Sequence, residues 1–339
     1  MIKRIIPSKL KNSLVLSLSA VLVGATFVGV ASAESMPSNI HRSDYLLQTS
    51  TGVVHVEETY SDEAMKANHP RRGVLLIPGP VVNAAWYDMS VEGYDAGKIL
   101  ADKGYFAFAV DLPGVGQSTG PADGRTTTTD YDLPVMREVI DQLSHREKIP
   151  KLDVYGEGGT GGVLALKLSA DKSRVRTIAS SAQLYKNPTP LTLAQAMNPG
   201  LIALFDQIAA PTNYYLQTVA PQYGQFVANA SAEVQAYTSA TQPGLYPLGS
   251  QYELIDGPLP LADPTIGKVP ALFMWGAQDF VAEPGDIQQL AQDYGKNHHV
   301  YSQYTEIANG GHLMRIEAAS GNGPTSPFWN TYLTFLAAN

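Results

Sequence analysis

Short continuous apolar runs alternate with stretches whose apolar positions recur every three to four residues, and this alternation governs the chain from about Val53 onward. Val53 to Tyr60 alternates polar and apolar residues and predicts an early strand. Gly73 to Ile77 and Tyr105 to Val110 are continuous apolar runs, which predict buried strands. Between those two, Tyr94 to Lys103 has helical periodicity that stops at Gly104. Further on, helices are expected over Asp130 to Leu143, Gly162 to Ala170, Gly285 to Gly295 and Pro327 to Leu336. Strands are expected at Leu152 to Tyr155, Val175 to Ala179, Ala271 to Trp275 and Val300 to Ile307. Strand and helix in regular alternation predict an α/β fold, a mostly parallel sheet flanked by helices.

The rhythm breaks between Ser181 and Ala271, where Ala, Gln, Tyr, Pro and Thr dominate. This stretch is expected to be an inserted cap over residues 186–267, with the core formed by residues 34–185 and 268–339. From Asn187 to Gly267 there is no Lys, Arg or His, while Asp206, Glu233, Glu253, Asp256 and Asp263 are present. Tyr214, Tyr215, Tyr223, Tyr237, Tyr246 and Tyr252 fall in the same stretch. With no cation to pair an anion and many rings, the cap is expected to receive a neutral, largely apolar ligand, a small molecule or a polymer. The other use of these rings is the cap's own core.

The N-terminus follows a different pattern. Lys3, Arg4, Lys9 and Lys11 precede the apolar run Leu14 to Val30, which ends at Ala31-Ser32-Ala33. This is the layout of a secretory signal peptide, residues 1–33, cleaved after Ala33, and it predicts a secreted or periplasmic protein. The run spans only about 25 Å as a helix, short for a membrane anchor, so no stable anchor is expected after cleavage. Removal leaves 306 residues and takes the net charge from −8 to −12. With no basic patch in view, a nucleic-acid partner is not expected. There is no cysteine, which excludes disulfides, thiolate metal sites and a cysteine nucleophile. The seven histidines show no metal-ligand spacing, so no metal is expected, and the His298-His299 doublet is read as capping a strand.

The candidate chemistry lies where strands end. The strand Val74 to Ile77 runs into Pro78-Gly79-Pro80-Val81, the kind of turn that supplies one oxyanion-hole amide in acyl transfer. Pro80 has no N–H, so Val81 must donate or that donor is missing. After the next strand comes Asp111-Leu112-Pro113-Gly114-Val115-Gly116-Gln117-Ser118, whose serine lacks the strand-to-helix setting of a nucleophile. That setting occurs at Tyr155-Gly156-Glu157-Gly158-Gly159-Thr160-Gly161-Gly162, where the pattern G-x-S-x-G belongs. Counted from the strand, Gly158 falls at the serine; counted back from the helix, Gly159 does. Thr160 is the elbow's hydroxyl and the remaining nucleophile candidate. A β-branched residue fits a strained elbow poorly, and Thr160 is expected to cap the helix instead. Glu157 is read as a solvated loop carboxylate or a base acting on water. Asp279, at the end of one late strand, and His312, after Gly310-Gly311 at the end of the last, stand in the order nucleophile, acid, base.

On Ile77-Pro78-Gly79, Asp111 to Ser118, the elbow at Gly156 to Gly162, Asp279 and Gly311-His312, the chain from about Tyr45 resembles the α/β-hydrolase superfamily, specifically its exported esterase- and lipase-like members with a cap. The resemblance implies an eight-stranded, mostly parallel sheet, no cofactor, and hydrolysis of an ester-type substrate through an acyl-enzyme. Only the acid and the base carry over cleanly, because glycine replaces the serine. Three readings follow: a serine hydrolase altered at its elbow, an Asp279-His312 dyad acting as a general base without a covalent step, or a binding protein on a hydrolase scaffold. An acid and a base held in order favour the enzymatic readings.

Overall fold

The structure is a computed structural model, and it describes residues 39–66, 70–190, 192, 199–217, 229–249 and 263–339. The expected signal peptide, residues 1–33, lies outside them. Ten strands are present among the described residues: β1 (Ile40–Thr49), β2 (Gly52–Ser61), β3 (Arg72–Ile77), β4 (Tyr105–Val110), β5 (Leu152–Glu157), β6 (Val175–Ser181), β7 (Tyr214–Gln217), β8 (Gly244–Pro247), β9 (Ala271–Gly276) and β10 (Ser302–Ile307). Eight of them form one sheet in the order β1-β2-β4-β3-β5-β6-β9-β10. The β1/β2 and β2/β4 pairs are antiparallel; every other pair in this sheet is parallel. This is an α/β-hydrolase fold with a mostly parallel eight-stranded sheet flanked by helices.

The helices are α1 (Asp62–Lys66), α2 (Ala96–Ala101), α3 (Thr129–Glu147), α4 (Gly158–Leu168), α5 (Pro199–Ala209), α6 (Ala232–Thr241), α7 (Asp286–His298) and α8 (Pro327–Ala338). Period-two alternation along the central strands feeds two cores. Leu75 and Ile77 of β3 and Phe106, Phe108 and Val110 of β4 join α3, α4 and α7 on one face. Val74, Leu76, Tyr105, Ala107 and Ala109 join α2 and α8 on the other. Each fully buried Leu, Ile or Phe contributes roughly 1.5–3 kcal/mol of transfer free energy, and strands buried on both faces read as unbroken apolar runs for this reason. Side-chain caps fix several helix starts: Thr128 accepts from Tyr131 N, Ser231 from Val234 N and Ser326 from Trp329 N.

Three local expectations are corrected. Helix α4 begins at Gly158, four residues ahead of the expected start at Gly162, and Glu157 is its N-cap residue. Thr160 therefore sits inside the first turn and caps nothing. His298 and His299 close helix α7 instead of capping a strand, with His299 in a left-handed conformation at φ 52°.

Between β6 and β9 the described residues form α5, α6 and the antiparallel pair β7/β8. Their tyrosines are engaged in packing. Tyr215 and Tyr246 are buried in a core cluster, Tyr214 Oη donates to Pro121 O at 2.9 Å, and Tyr237 Oη donates to Asp88 O at 2.6 Å. Tyr223 and Tyr252 lie outside the described residues.

Candidate active site

The elbow between β5 and α4 contains glycines of two kinds. A Cβ on Gly156 would lie 1.9 Å from Gly161 O, and one on Gly161 would lie 2.5 Å from Ile77 O. At these positions the helix crosses the strands too closely for any side chain. Gly158 is different. Its φ is +70°, the left-handed apex of the strand-to-helix turn, yet a Cβ there would meet only Gly79 Cα at 3.4 Å and Pro80 Cδ at 3.8 Å, ordinary van der Waals distances. Backbone conformation, not crowding, is what favours glycine at 158. Gly159 and Thr160 are the next residues of α4, and Thr160 is 1 % exposed.

The same contacts place the Gly79-Pro80 turn directly against Gly158. Farther along that turn, Asn83 N donates to Gln242 Oε1 at 3.0 Å and Ala84 N to Asp111 Oδ1 at 2.7 Å, so both of these amides are committed. Val81 O accepts from Gln217 Nε2 at 3.5 Å, which joins the turn to β7. At the start of α4, Gly159 N belongs to the first turn, whose amides have no partner within the helix.

Asp279 follows β9 and His312 follows β10. His312 Nδ1 lies 3.0 Å from both carboxylate oxygens of Asp279, whose Oδ1 also accepts from Val281 N at 2.8 Å. The carboxylate is buried and the imidazole 11 % exposed. Gln278 N donates to Gly310 O at 2.8 Å, fastening the acid turn to the histidine loop. The Phe280 ring lies 6.0 Å from the imidazole. Opposite this pair, Glu317 is buried and its Oε2 accepts from Gly311 N at 2.5 Å. Burial raises its carboxyl above the ordinary glutamate value, and the Gly311 amide and the His312 charge oppose that rise.

Glu157 is not a solvated loop carboxylate. It is 2 % exposed, its Oε2 accepts from Trp86 Nε1 at 2.5 Å, and Arg315 Nε and Nη2 lie 3.3 Å from the same oxygen. Ser118 is buried, donates to Asp111 O at 2.8 Å and accepts from His55 N at 2.9 Å, so its hydroxyl serves the turn. The sequence reading missed Arg315, Glu317 and Trp86. One signal was available: Leu313-Met314-Arg315-Ile316-Glu317 sets two charges in an apolar run directly after the histidine.

A family model described as the alpha/beta hydrolase fold matches residues 81–319, well over half of the chain. The chain belongs to the α/β-hydrolase family. No sequence among curated proteins matches it. Among solved structures it is similar to a hydrolase from Pseudomonas aeruginosa PA01, at 15 % identity and TM-score 0.60, covering 87 % of this chain and 98 % of the other. It is also similar to the enol-lactonase from Burkholderia xenovorans, at 19 % identity and TM-score 0.57, covering 86 % of this chain and 100 % of the other. A third is carboxylesterase CesB from Bacillus subtilis, at 15 % identity and TM-score 0.57, covering 88 % and 93 %. At these identities the likeness is one of fold.

Proposed function

We propose that this α/β-hydrolase is an exported carboxylic-ester hydrolase that works through the Asp279-His312 dyad, with Gly158 standing where the nucleophilic serine would sit, so that turnover is weak and non-covalent. The observation that carries this reading is the left-handed Gly158 at the apex of the β5–α4 turn, against the Gly79-Pro80 turn. The dyad is hydrogen-bonded at the same edge of the sheet. Asp279 fixes the tautomer of His312 that keeps a proton on Nδ1 and leaves Nε2 as the base. Nε2 takes a proton from water as that water attacks the ester carbonyl, and the proton passes on to the leaving alcohol. Gly159 N–H stabilises the oxyanion, and Pro80 contributes no second donor, which lowers the rate further. The ester class agrees with the carboxylesterase and the enol-lactonase among similar structures. A neutral, largely apolar substrate agrees with the absence of cations from Asn187 to Gly267.

The test is hydrolysis of short p-nitrophenyl esters by the native chain, by His312→Ala and by Asp279→Asn. General-base catalysis contributes about 10²–10⁴-fold, so both variants should fall by that factor or to background. Native turnover that survives His312→Ala unchanged would refute the dyad mechanism. A native chain with no turnover that binds a neutral ester tightly would instead favour the binding protein.

A further inference from the structure

One buried guanidinium joins the three loops that carry the candidate chemistry. Arg315, three residues beyond His312, is 1 % exposed. Its Nε and Nη2 reach Glu157, the last residue of β5 and the immediate neighbour of Gly158. Its Nη2 also donates to Trp86 O at 3.0 Å, and its guanidinium carbon lies over the Tyr87 ring at 4.7 Å and the Trp86 ring at 5.4 Å. Trp86 and Tyr87 end the short turn that follows Gly79-Pro80, and Tyr87 Oη ties that turn back to Ile77 O at 2.8 Å. Trp86 Nε1 closes the ring of bonds on Glu157 Oε2.

Stability alone is a weak reason for this arrangement. Burying two opposite charges costs several kcal/mol of desolvation per ion, and well-packed apolar replacements are often as stable or more so. The network is also incomplete, because Arg315 Nη1 and Glu157 Oε1 are buried without a hydrogen-bond partner. A fork-shaped cation does give direction, since it fixes the loop of His312 against the elbow and the Gly79-Pro80 turn in one geometry.

We propose that Arg315 is a positioning residue: paired with Glu157 and Trp86, it holds the His312 loop in register with position 158 and the Gly79-Pro80 turn. This rests on the hydrolytic reading above for its catalytic consequence, but not for the alignment itself. Two readouts separate them. In a Gly158→Ser background, Arg315→Met combined with Glu157→Leu should keep the melting temperature within a few degrees while kcat falls about 10–100-fold at nearly constant KM, the cost of misplacing a catalytic group by about 1 Å. In the otherwise native chain, the His312 Nδ1 proton, a downfield NMR signal held by Asp279, should broaden in the same double variant.

Arg315→Lys keeps the charge without the fork and should give an intermediate kcat; it also serves as the test if the double variant does not fold. Parental kcat together with an unchanged Nδ1 signal, in the double variant or in Arg315→Lys, overturns the proposal. If Gly158→Ser is inactive and the Nδ1 signal still depends on Arg315, the hydrolytic reading fails and the positioning role stands.

Discussion

Placing serine at 158 should convert a weak hydrolase into a working one, and the structure sets the size of both the cost and the gain. The cost is backbone strain: φ is +70° at this residue, and a non-glycine residue there loses about 1–2 kcal/mol. No steric cost adds to it, since the new Cβ would lie 3.4 Å from its nearest neighbour, Gly79 Cα. At roughly 2–4 °C per kcal/mol for a large domain, the melting temperature should fall by about 2–8 °C. The gain is bounded by the roughly 10⁶-fold loss on deleting a triad serine elsewhere, about 8 kcal/mol at 1.36 kcal/mol per decade. Pro80 withholds one oxyanion donor, worth about 10²–10³-fold, which leaves a net gain of roughly 10³–10⁴. The assay is kcat/KM on p-nitrophenyl acetate and butyrate for native, Gly158→Ser, Gly159→Ser and Gly158→Ser with His312→Ala, alongside thermal melts. Only Gly158→Ser should gain, and the gain should vanish without His312. A larger gain from Gly159→Ser, or a Gly158→Ser gain that survives loss of His312, would refute the assignment of the apex.

Thr160→Ala should leave any native ester turnover unchanged, because the side chain is buried in the first turn of α4; abolished turnover would make threonine the nucleophile. Ser118→Ala should lower stability by about 1–3 kcal/mol, the range for a buried hydrogen-bonding group left unpaired, without changing kcat below the melting transition; a kcat loss would place Ser118 in the chemistry. His55 is set between Asp111 at 2.8 Å and Asp44 at 2.6 Å. Burial alone would lower its pKa, but hydrogen bonds and charge from Asp111, then Asp44, overrule burial and raise it to about 9. A histidine raised in the folded state stabilises fully below its unfolded pKa of about 6.5 and loses that contribution as pH rises through 9. Allowing for solvent screening on the Asp44 side, urea melts should show a loss of about 1–2 kcal/mol between those pH values. The loss should be absent in His55→Gln, and an identical pH slope in that variant would refute the linkage.

What the sequence by itself determined was whatever repeats along the chain or follows an element directly. The core strands and flanking helices were legible because burial on both faces writes unbroken apolar runs and one-sided burial writes a helical period. Tyr105–Val110 matches the strand expected there residue for residue. Strand β1 was missed because it lies at the sheet edge, where IHRSDYLLQT is half exposed and its apolar signal is weak. Asp279 and His312 were readable as residues after strands, but their 3.0 Å approach depends on β9 and β10 lying parallel and adjacent. The choice between Gly158 and Gly159 needed a backbone angle, because both residues fit the spacing and only one turns left-handed. The burial of Glu157 and its bond to Arg315, 158 residues away in sequence, belonged to the tertiary structure alone. A charge is read as solvated until packing from a distant loop removes its water and supplies its partner, and no local pattern records that event.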